Sequence, residues 1–220
     1  MLIYIRDLLD RAQLDAIAER LAAPGIFAPG ASTAAGRARE VKRNLQARSE
    51  APGVKGVLKL IEAALLGHDV FRAAARPRQL VRLVISRYGE GMYYGPHVDA
   101  PLMDGVRTDL SFTLFLSSPD DYGGGELVID MGHGQEVVKL AAGSLVLYPT
   151  RYLHQVAPIT SGARLAAVGW VRSQIRDEAQ RDLLFDLDGA IADLAAGQSR
   201  RAGDGLANLR ANLVRLWVED

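Results

Sequence analysis

Residues 79–99 read QLVRLVISRYGEGMYYGPHVD, and the fold turns on how this stretch is taken. Its first half, 79–88, is β-branched and aromatic with a period near two, the pattern of an extended strand. Gly89 and Gly91 then mark a turn, and Pro96 favours extended chain while biasing Gly95 away from helix. In extended chain, side chains two apart share a face, so His97 and Asp99 can converge on one ion.

Downstream the same texture continues. Segments near 109–117, 125–130, 136–140, 144–148, 153–157 and 164–171 are short, β-branched or aromatic, and separated by Gly, Pro, Asp or Ser. Repeated short strands predict a sandwich or barrel, and a double-sheet jelly roll suits a metal site collected from distant strands. Upstream, apolar residues recur at helical spacing over 8–23 (Leu9, Leu14, Ile17, Leu21), a run that Ala23-Pro24-Gly25 ends. Helical spacing returns over 54–67 (Val57, Leu58, Ile61, Leu65), with Gly67 as the stop. Between them, 24–53 is rich in Gly, Ala, Pro and Ser and reads as a surface excursion with a more helix-like stretch near 38–46. The tail is helical again over 178–195 and 206–218, with 197–205 as the turn of a helical hairpin. The expected class is α+β: a double-stranded β-helix (jelly-roll) core over 79–175, N-terminal flanking helices and a C-terminal helical hairpin.

At 220 residues the chain can bury a large core without a metal staple. Its 26 basic and 26 acidic side chains balance, which argues against a broad nucleic-acid or anionic-membrane surface. With no cysteine, disulfides, thiolate zinc sites and iron–sulfur clusters are excluded, and any metal rests on nitrogen and oxygen ligands. Arg6 and Asp7 interrupt the N-terminal apolar run, and no stretch of about 18 apolar residues occurs, so the expectation is a cytoplasmic protein with no membrane partner.

Of the four histidines, His97 and His154 stand at the starts of strand-like segments, and the single H-x-D belongs to that pair. Two imidazoles and a carboxylate on one face of a metal leave the other face open, the ligand set of non-haem Fe(II) oxygenases. A lone H-x-D is weak evidence and a strand histidine is more often structural; the combination carries the reading. His68 follows Gly67 at a helix end, where an imidazole can meet the last carbonyls. His133, within Met131-Gly132-His133-Gly134, suits a solvated hairpin tip. Arg164 opens an apolar segment (Leu165, Ala166, Ala167, Val168, Trp170), and a guanidinium on so buried a strand needs a partner such as a carboxylate. Gly123-Gly124-Gly125 reads as a turn before a strand, or as room for close approach to a substrate.

Together these residues resemble the 2-oxoglutarate/Fe(II) dioxygenase superfamily, whose motif is H-x-D, a distal His and a basic residue beyond it. More narrowly, RYGEGMYYGPHVD (87–99), DYGGGEL (121–127) and PTRYLHQV (149–156) resemble the bacterial PKHD-type hydroxylases, relatives of prolyl 4-hydroxylases that include iron-uptake-associated members. LFDLD (184–188) is similar to that group's C-terminal region. The resemblance implies Fe(II) on His97, Asp99 and His154, Arg164 on the distal carboxylate of 2-oxoglutarate, and Tyr88 as a further co-substrate contact. Many prolyl hydroxylases carry lysine where Arg164 stands, which keeps the charge and changes the contact geometry. It further implies decarboxylation of 2-oxoglutarate to succinate and CO₂ coupled to hydroxylation of a substrate C–H bond, with L-ascorbate (vitamin C) as an accessory reductant. Tyr93, Tyr94 and the 100–108 loop, with Asp104 and Arg107, would line the substrate mouth. On the same resemblance, 1–176 form the dioxygenase domain and 177–220 a C-terminal helical region.

The residues themselves leave two other classes open. A cupin-like metalloprotein that binds or isomerises a small molecule would use the triad but has no need of Arg164; a non-catalytic jelly-roll module would use neither. A nucleic-acid demethylase is disfavoured by the neutral charge and the lack of a basic aromatic stripe. Neither a phosphate-binding loop nor a nucleophile elbow is present, which removes phosphoryl transfer and serine hydrolysis. The expected partners are O₂ and a small-molecule or peptidyl substrate, and the apolar face of the tail allows a homo-oligomer.

Overall fold

Side-chain alternation tells each strand which face to bury, and here it sorts the strands into two facing sheets. The computed structural model describes residues 1–33, 39–196 and 200–219. In chain order the strands are β1 (Ile3–Ile5), β2 (Phe27–Pro29), β3 (Lys42–Arg43), β4 (Leu45–Ala47), β5 (Pro77–Gly89), β6 (Tyr93–His97), β7 (Leu102–Met103) and β8 (Val106–Arg107). There follow β9 (Leu110–Phe115), β10 (Tyr122–Gly124), β11 (Leu127–Asp130), β12 (Gln135–Val138), β13 (Leu145–Pro149), β14 (Leu153–Val156) and β15 (Ile159–Ser173). The helices are α1 (Arg11–Leu21), α2 (Val54–Gly67), α3 (Asp69–Ala75), α4 (Glu178–Ala196) and α5 (Arg200–Trp217).

The larger sheet runs β1-β13-β9-β15-β5-β4-β2, with β10 also on β15; the smaller runs β12-β11-β14-β6-β3, and β7 and β8 form a separate hairpin. Every pairing is antiparallel, as a jelly roll requires. Along β15, Leu165, Ala167 and Val171 pack into a core with Ile17 of α1, Ile61 and Leu65 of α2 and Phe71 of α3. Each such large side chain stabilises the fold by about 1.5–3 kcal/mol when fully buried. A second core holds Tyr88, Phe115, Leu127, Ile129, Tyr148 and Val156, drawn from both sheets. That inner core carries the site.

The flanking helices follow their sequence signals. α1 starts on a capping box in which Asp10 accepts from the Gln13 N–H and the Gln13 side chain accepts from the Asp10 N–H. α2 buries Val54, Val57, Ile61 and Leu65, one face at helical spacing.

Several expectations are corrected. The helix-like stretch near 38–46 contains β3 and β4: residues 42–47 pair with Tyr93 and Tyr94 on one side and with Ser86 and Arg87 on the other. Pairing to both sheets outweighs local propensity there; residues 34–38 lie outside the described residues. The turn placed at 197–205 is also shorter, because α5 begins at Arg200 and runs through Gly205; 197–199 lie outside the described residues. α4 and α5 pack on each other, with Arg210 paired to Asp188, which also takes Arg76 at 2.6 Å. His97 closes β6 rather than opening a strand. His68 caps α2 through its backbone N–H, which donates to the Leu65 carbonyl, while its imidazole Nδ1 is buried without a hydrogen-bond partner among the described residues. His133 does sit exposed between β11 and β12.

Candidate metal centre

β14 pairs with β6 so that His154 lies opposite His97, with ring centroids 4.3 Å apart. Asp99 follows two residues after His97, past the strand end. His97 Nε2 is 3.6 Å from Asp99 Oδ1 and His154 Nε2 is 3.5 Å from Asp99 Oδ2. One ligand atom from each of the three residues lies within 4.8 Å of the others.

Both imidazoles are oriented from behind. His97 Nδ1 is 2.9 Å from the Gly95 carbonyl and His154 Nδ1 is 2.9 Å from the Tyr152 carbonyl. A carbonyl only accepts, so each Nδ1 carries the proton and each Nε2 presents a lone pair. Tyr94 stacks on His97 at 3.6 Å, and Tyr148 meets His154 edge-on at 5.3 Å. Burial pushes the His154 pKa down, keeping the neutral form that binds metal. For Asp99, burial alone would raise the carboxyl, but His154, His97 and the Trp170 N–H outweigh it and hold it at about 2.

Asp99 Oδ2 accepts from Ser111 Oγ at 2.9 Å and from Trp170 Nε1 at 2.8 Å. The two nitrogens and one carboxylate, with no sulfur, fit a ferrous ion, and ligands gathered on one side leave room for others. Trp170→Phe keeps the ring and removes the donor to Asp99. The expected result is about a 10–100-fold loss in metal affinity with a small change in unfolding midpoint, read by Co(II) or Mn(II) titration and urea denaturation.

Further inside the barrel, Arg164 is 1% exposed and lies over the rings of Tyr88 (5.4 Å) and Phe115 (5.2 Å). Its polar neighbour is the buried Tyr122 hydroxyl, which Arg164 influences electrostatically although the two fall short of good hydrogen-bond geometry, and no carboxylate pairs with the guanidinium among the described residues. A buried charge without a partner is costly, so this cradle fits an anion. Tyr148 is in electrostatic reach of both Asp99 and Arg164; burial first, with Asp99, raises its hydroxyl pKa, and Arg164 opposes.

The glycine run shapes this end. Gly124 (φ 67°) and Gly125 (φ 70°) take a left-handed backbone, and a Cβ on Gly125 would collide with Ile159 Cδ1 and press on the Tyr122 ring and Arg164 Cδ. The run is therefore both a turn and a clearance for the arginine. Gly125→Ala is expected to destabilise the protein by about 1–3 kcal/mol in urea unfolding.

The other sequence-derived candidates divide. Tyr88 and Tyr94 join the inner core, while Tyr93, half-buried at the start of β6, borders a cleft beside β3. Arg107 is bonded to Asp109 at 2.8 Å, Glu219 at 3.0 Å and the Ser173 carbonyl at 3.2 Å, tying the tail to the core. Asp104, on the β7–β8 turn, pairs with Arg82 at 2.7 Å. Sequence reasoning passed over Ser111, Tyr122, Tyr148, Asn44 and Lys42. Trp170 was read only as an apolar strand residue, although its even spacing from Arg164 places both on one face of β15.

Comparison with known proteins assigns the chain to a family. A family model described as the 2OG-Fe(II) oxygenase superfamily matches residues 83–172, and one for the PKHD-type hydroxylase C-terminal domain matches 178–219. A PKHD-type hydroxylase of Maricaulis maris is 48% identical over 221 residues, covering 100% of both chains. The chain belongs to the PKHD-type hydroxylase family. A second PKHD-type hydroxylase, from Parvibaculum lavamentivorans, is 46% identical over 220 residues, again covering 100% of both chains. As a PKHD-type hydroxylase, the protein is a 2-oxoglutarate-dependent enzyme of the Fe(II) class. The PKHD-type fold is shared with a Pseudomonas putida prolyl-4-hydroxylase, 20% identical with a TM-score of 0.57, covering 78% of this chain and 92% of that one. A Trichoplax adhaerens prolyl hydroxylase, solved with a hypoxia inducible factor peptide fragment, is 19% identical with a TM-score of 0.60, covering 83% and 86%. No helix among the described residues is long and apolar enough to cross a membrane.

Proposed function

We propose that His97, Asp99 and His154 hold the ferrous ion, that Arg164 beside Tyr88 holds the far carboxylate of 2-oxoglutarate, and that the enzyme hydroxylates a C–H bond of a small-molecule or peptidyl substrate. The observation that carries the reading is Arg164, a fully buried guanidinium with no carboxylate partner among the described residues, in the same interior as the triad. A cupin-like binding protein has no use for it. When bound, iron and 2-oxoglutarate supply oxidation of a C–H bond by O₂, coupled to release of succinate and CO₂.

The chain's own part is to position and to exclude water. The Gly95 and Tyr152 carbonyls keep both imidazoles in one tautomer. Ser111 and Trp170 engage Asp99 Oδ2 and leave Oδ1 for the metal. Tyr88 and Phe115 wall Arg164 from solvent, which strengthens its pull on a carboxylate.

In this reading 1–176 form the oxygenase domain, and 177–220 are a helical appendage whose exposed Leu209 and Leu216 support self-association. The compartment is the cytoplasm, ascorbate serves as accessory reductant, and the pathway is iron uptake or homeostasis, following the family's iron-associated members. Purified protein given Fe(II), O₂ and 2-oxoglutarate is expected to release succinate slowly without added substrate. Metal binding with no succinate under any candidate substrate would favour the cupin-like reading, and absence of metal binding would remove both.

A further inference from the structure

The carbonyls that aim the two triad imidazoles are unequally supported. Gly95, whose carbonyl accepts from His97 Nδ1, lies within β6, and its own N–H donates to the Val41 carbonyl at 2.9 Å. Sheet pairing fixes that peptide. Tyr152, whose carbonyl accepts from His154 Nδ1, lies in the connection between β13 and β14, in a turn closed by its N–H on the Pro149 carbonyl at 3.1 Å. Thr150 anchors the start of the turn through the Asp109 carbonyl at 3.1 Å, but neither Arg151 nor Tyr152 is in a strand. Without a ladder, the orientation of such a peptide depends on what its side chains hold.

Those side chains hold the C-terminal region. Tyr152 donates its hydroxyl to Glu178 Oε1 at 3.2 Å, and Arg151 meets Glu178 Oε2 through Nε at 3.0 Å and Nη2 at 2.9 Å. The Arg151 guanidinium also lies 4.9 Å from the centre of the Tyr152 ring, so the two residues converge on one carboxylate. Oε1 further meets the Met1 amino nitrogen at 2.9 Å. Glu178 stands in the first turn of α4 and opens the stretch matched by the PKHD-type C-terminal model. Buried Arg181 donates to the Ile175 and Arg176 carbonyls at 2.8 Å and 2.7 Å, which holds the bend from β15 into α4 and thereby places Glu178. An isolated exposed ion pair contributes little. Here several groups share one partly buried carboxylate, and one of them belongs to the residue whose carbonyl orients His154.

We infer that Glu178 is a positioning residue for the metal centre: through the Tyr152 side chain it holds the carbonyl that aims His154, which gives the C-terminal helical region a part in metal binding. The inference rests on the reading of His154 as a metal ligand. Direct outer partners of metal ligands are worth about 10–100-fold in affinity, so a residue one step further out is expected to be worth about 3–10-fold.

The test is a titration of the protein with Co(II), whose visible absorption bands report ligand geometry. Glu178→Ala and Tyr152→Phe are each expected to lower Co(II) affinity by about 3–10-fold and to shift those bands. The double variant should lose little more than the larger single effect, because both changes cut one path. Glu178→Gln keeps an acceptor for the tyrosine hydroxyl and should retain more affinity than Glu178→Ala. Asp188→Asn is the structural control: it weakens the pairs with Arg76 and Arg210 that hold α4 to its neighbours, and should lower the urea midpoint while leaving Co(II) affinity and bands in place. Unchanged affinity and bands in Glu178→Ala or in Tyr152→Phe overturn the inference, as do equal shifts in Asp188→Asn or fully additive losses in the double variant. Tyr152→Phe removes one hydroxyl and decides the matter where Glu178→Ala fails to fold. Failure of the underlying metal reading shows differently, as no Co(II) uptake by the unmodified protein.

Discussion

Arg164→Met should weaken 2-oxoglutarate binding by about 100-fold while leaving the ligand-free protein more stable than the wild type. The two effects have one cause. Arg164 is fully buried with no carboxylate partner among the described residues, so the folded protein carries a desolvated charge before any ligand arrives. Methionine fills similar space between Tyr88, Phe115 and Ile159 without that cost, and replacing buried charge by apolar volume often stabilises by about 1–4 kcal/mol. A carboxylate arriving in the wild type completes charge-assisted hydrogen bonds, and losing them corresponds to about 2–3 kcal/mol, or close to two orders of magnitude in affinity. Thermal unfolding with and without 2-oxoglutarate reads both quantities: the ligand should raise the midpoint of the wild type and hardly move the variant. Arg164→Lys should restore part of the affinity, because it returns the charge without the fork. A variant that is destabilised yet binds 2-oxoglutarate normally would make Arg164 a structural residue.

Asp99→Ala is expected to lower Fe(II) or Co(II) affinity by more than about 100-fold, since even the outer partners of a metal ligand are worth 10–100-fold, and to abolish succinate release. The carboxylate is the one anionic member of the triad, and Ser111, Trp170 and both imidazoles are arranged around it. Metal titration separates this outcome from a folding defect, as does the pH dependence of the metal-free protein. The Asp99 carboxyl lies at about 2 against an ordinary 3.8, so its folded pKa is depressed. Its stabilising contribution is then complete above about pH 4 and is lost as pH falls toward 2. Urea unfolding across that window should show a shallower loss of stability in Asp99→Ala than in the wild type. Unchanged metal affinity in the variant would remove Asp99 from the ligand set.

How much of this was legible in advance differs from residue to residue. His97, Asp99 and His154 could be picked out because metal chemistry restricts ligands to few residue types and H-x-D matches the period of extended chain. Arg164 stood out because a cation opening an apolar strand must find compensation. Asn44 and Lys42, both buried, carried no such signal. They lie in a segment with helix-like composition that becomes β3 and β4 only by pairing with β6 and β5. The early start of α5 was hidden for the opposite reason: Gly205 looked like a turn, yet packing against α4 carries the helix through it.

Order of residues alone was enough to indicate the strand periods beyond residue 79, the flanking amphipathic helices, the exclusion of thiolate chemistry and the side chains proposed to hold iron. Alternation assigns a side chain to a face of its strand. It does not say which face of which other strand it will meet. That depended on register and closure: the pairing that sets His154 opposite His97, the β15–β9 alignment that brings Trp170 and Ser111 onto one oxygen of Asp99, and the glycine turn that clears space for Arg164. Those contacts join residues far apart in sequence, and only long-range packing brings such groups together.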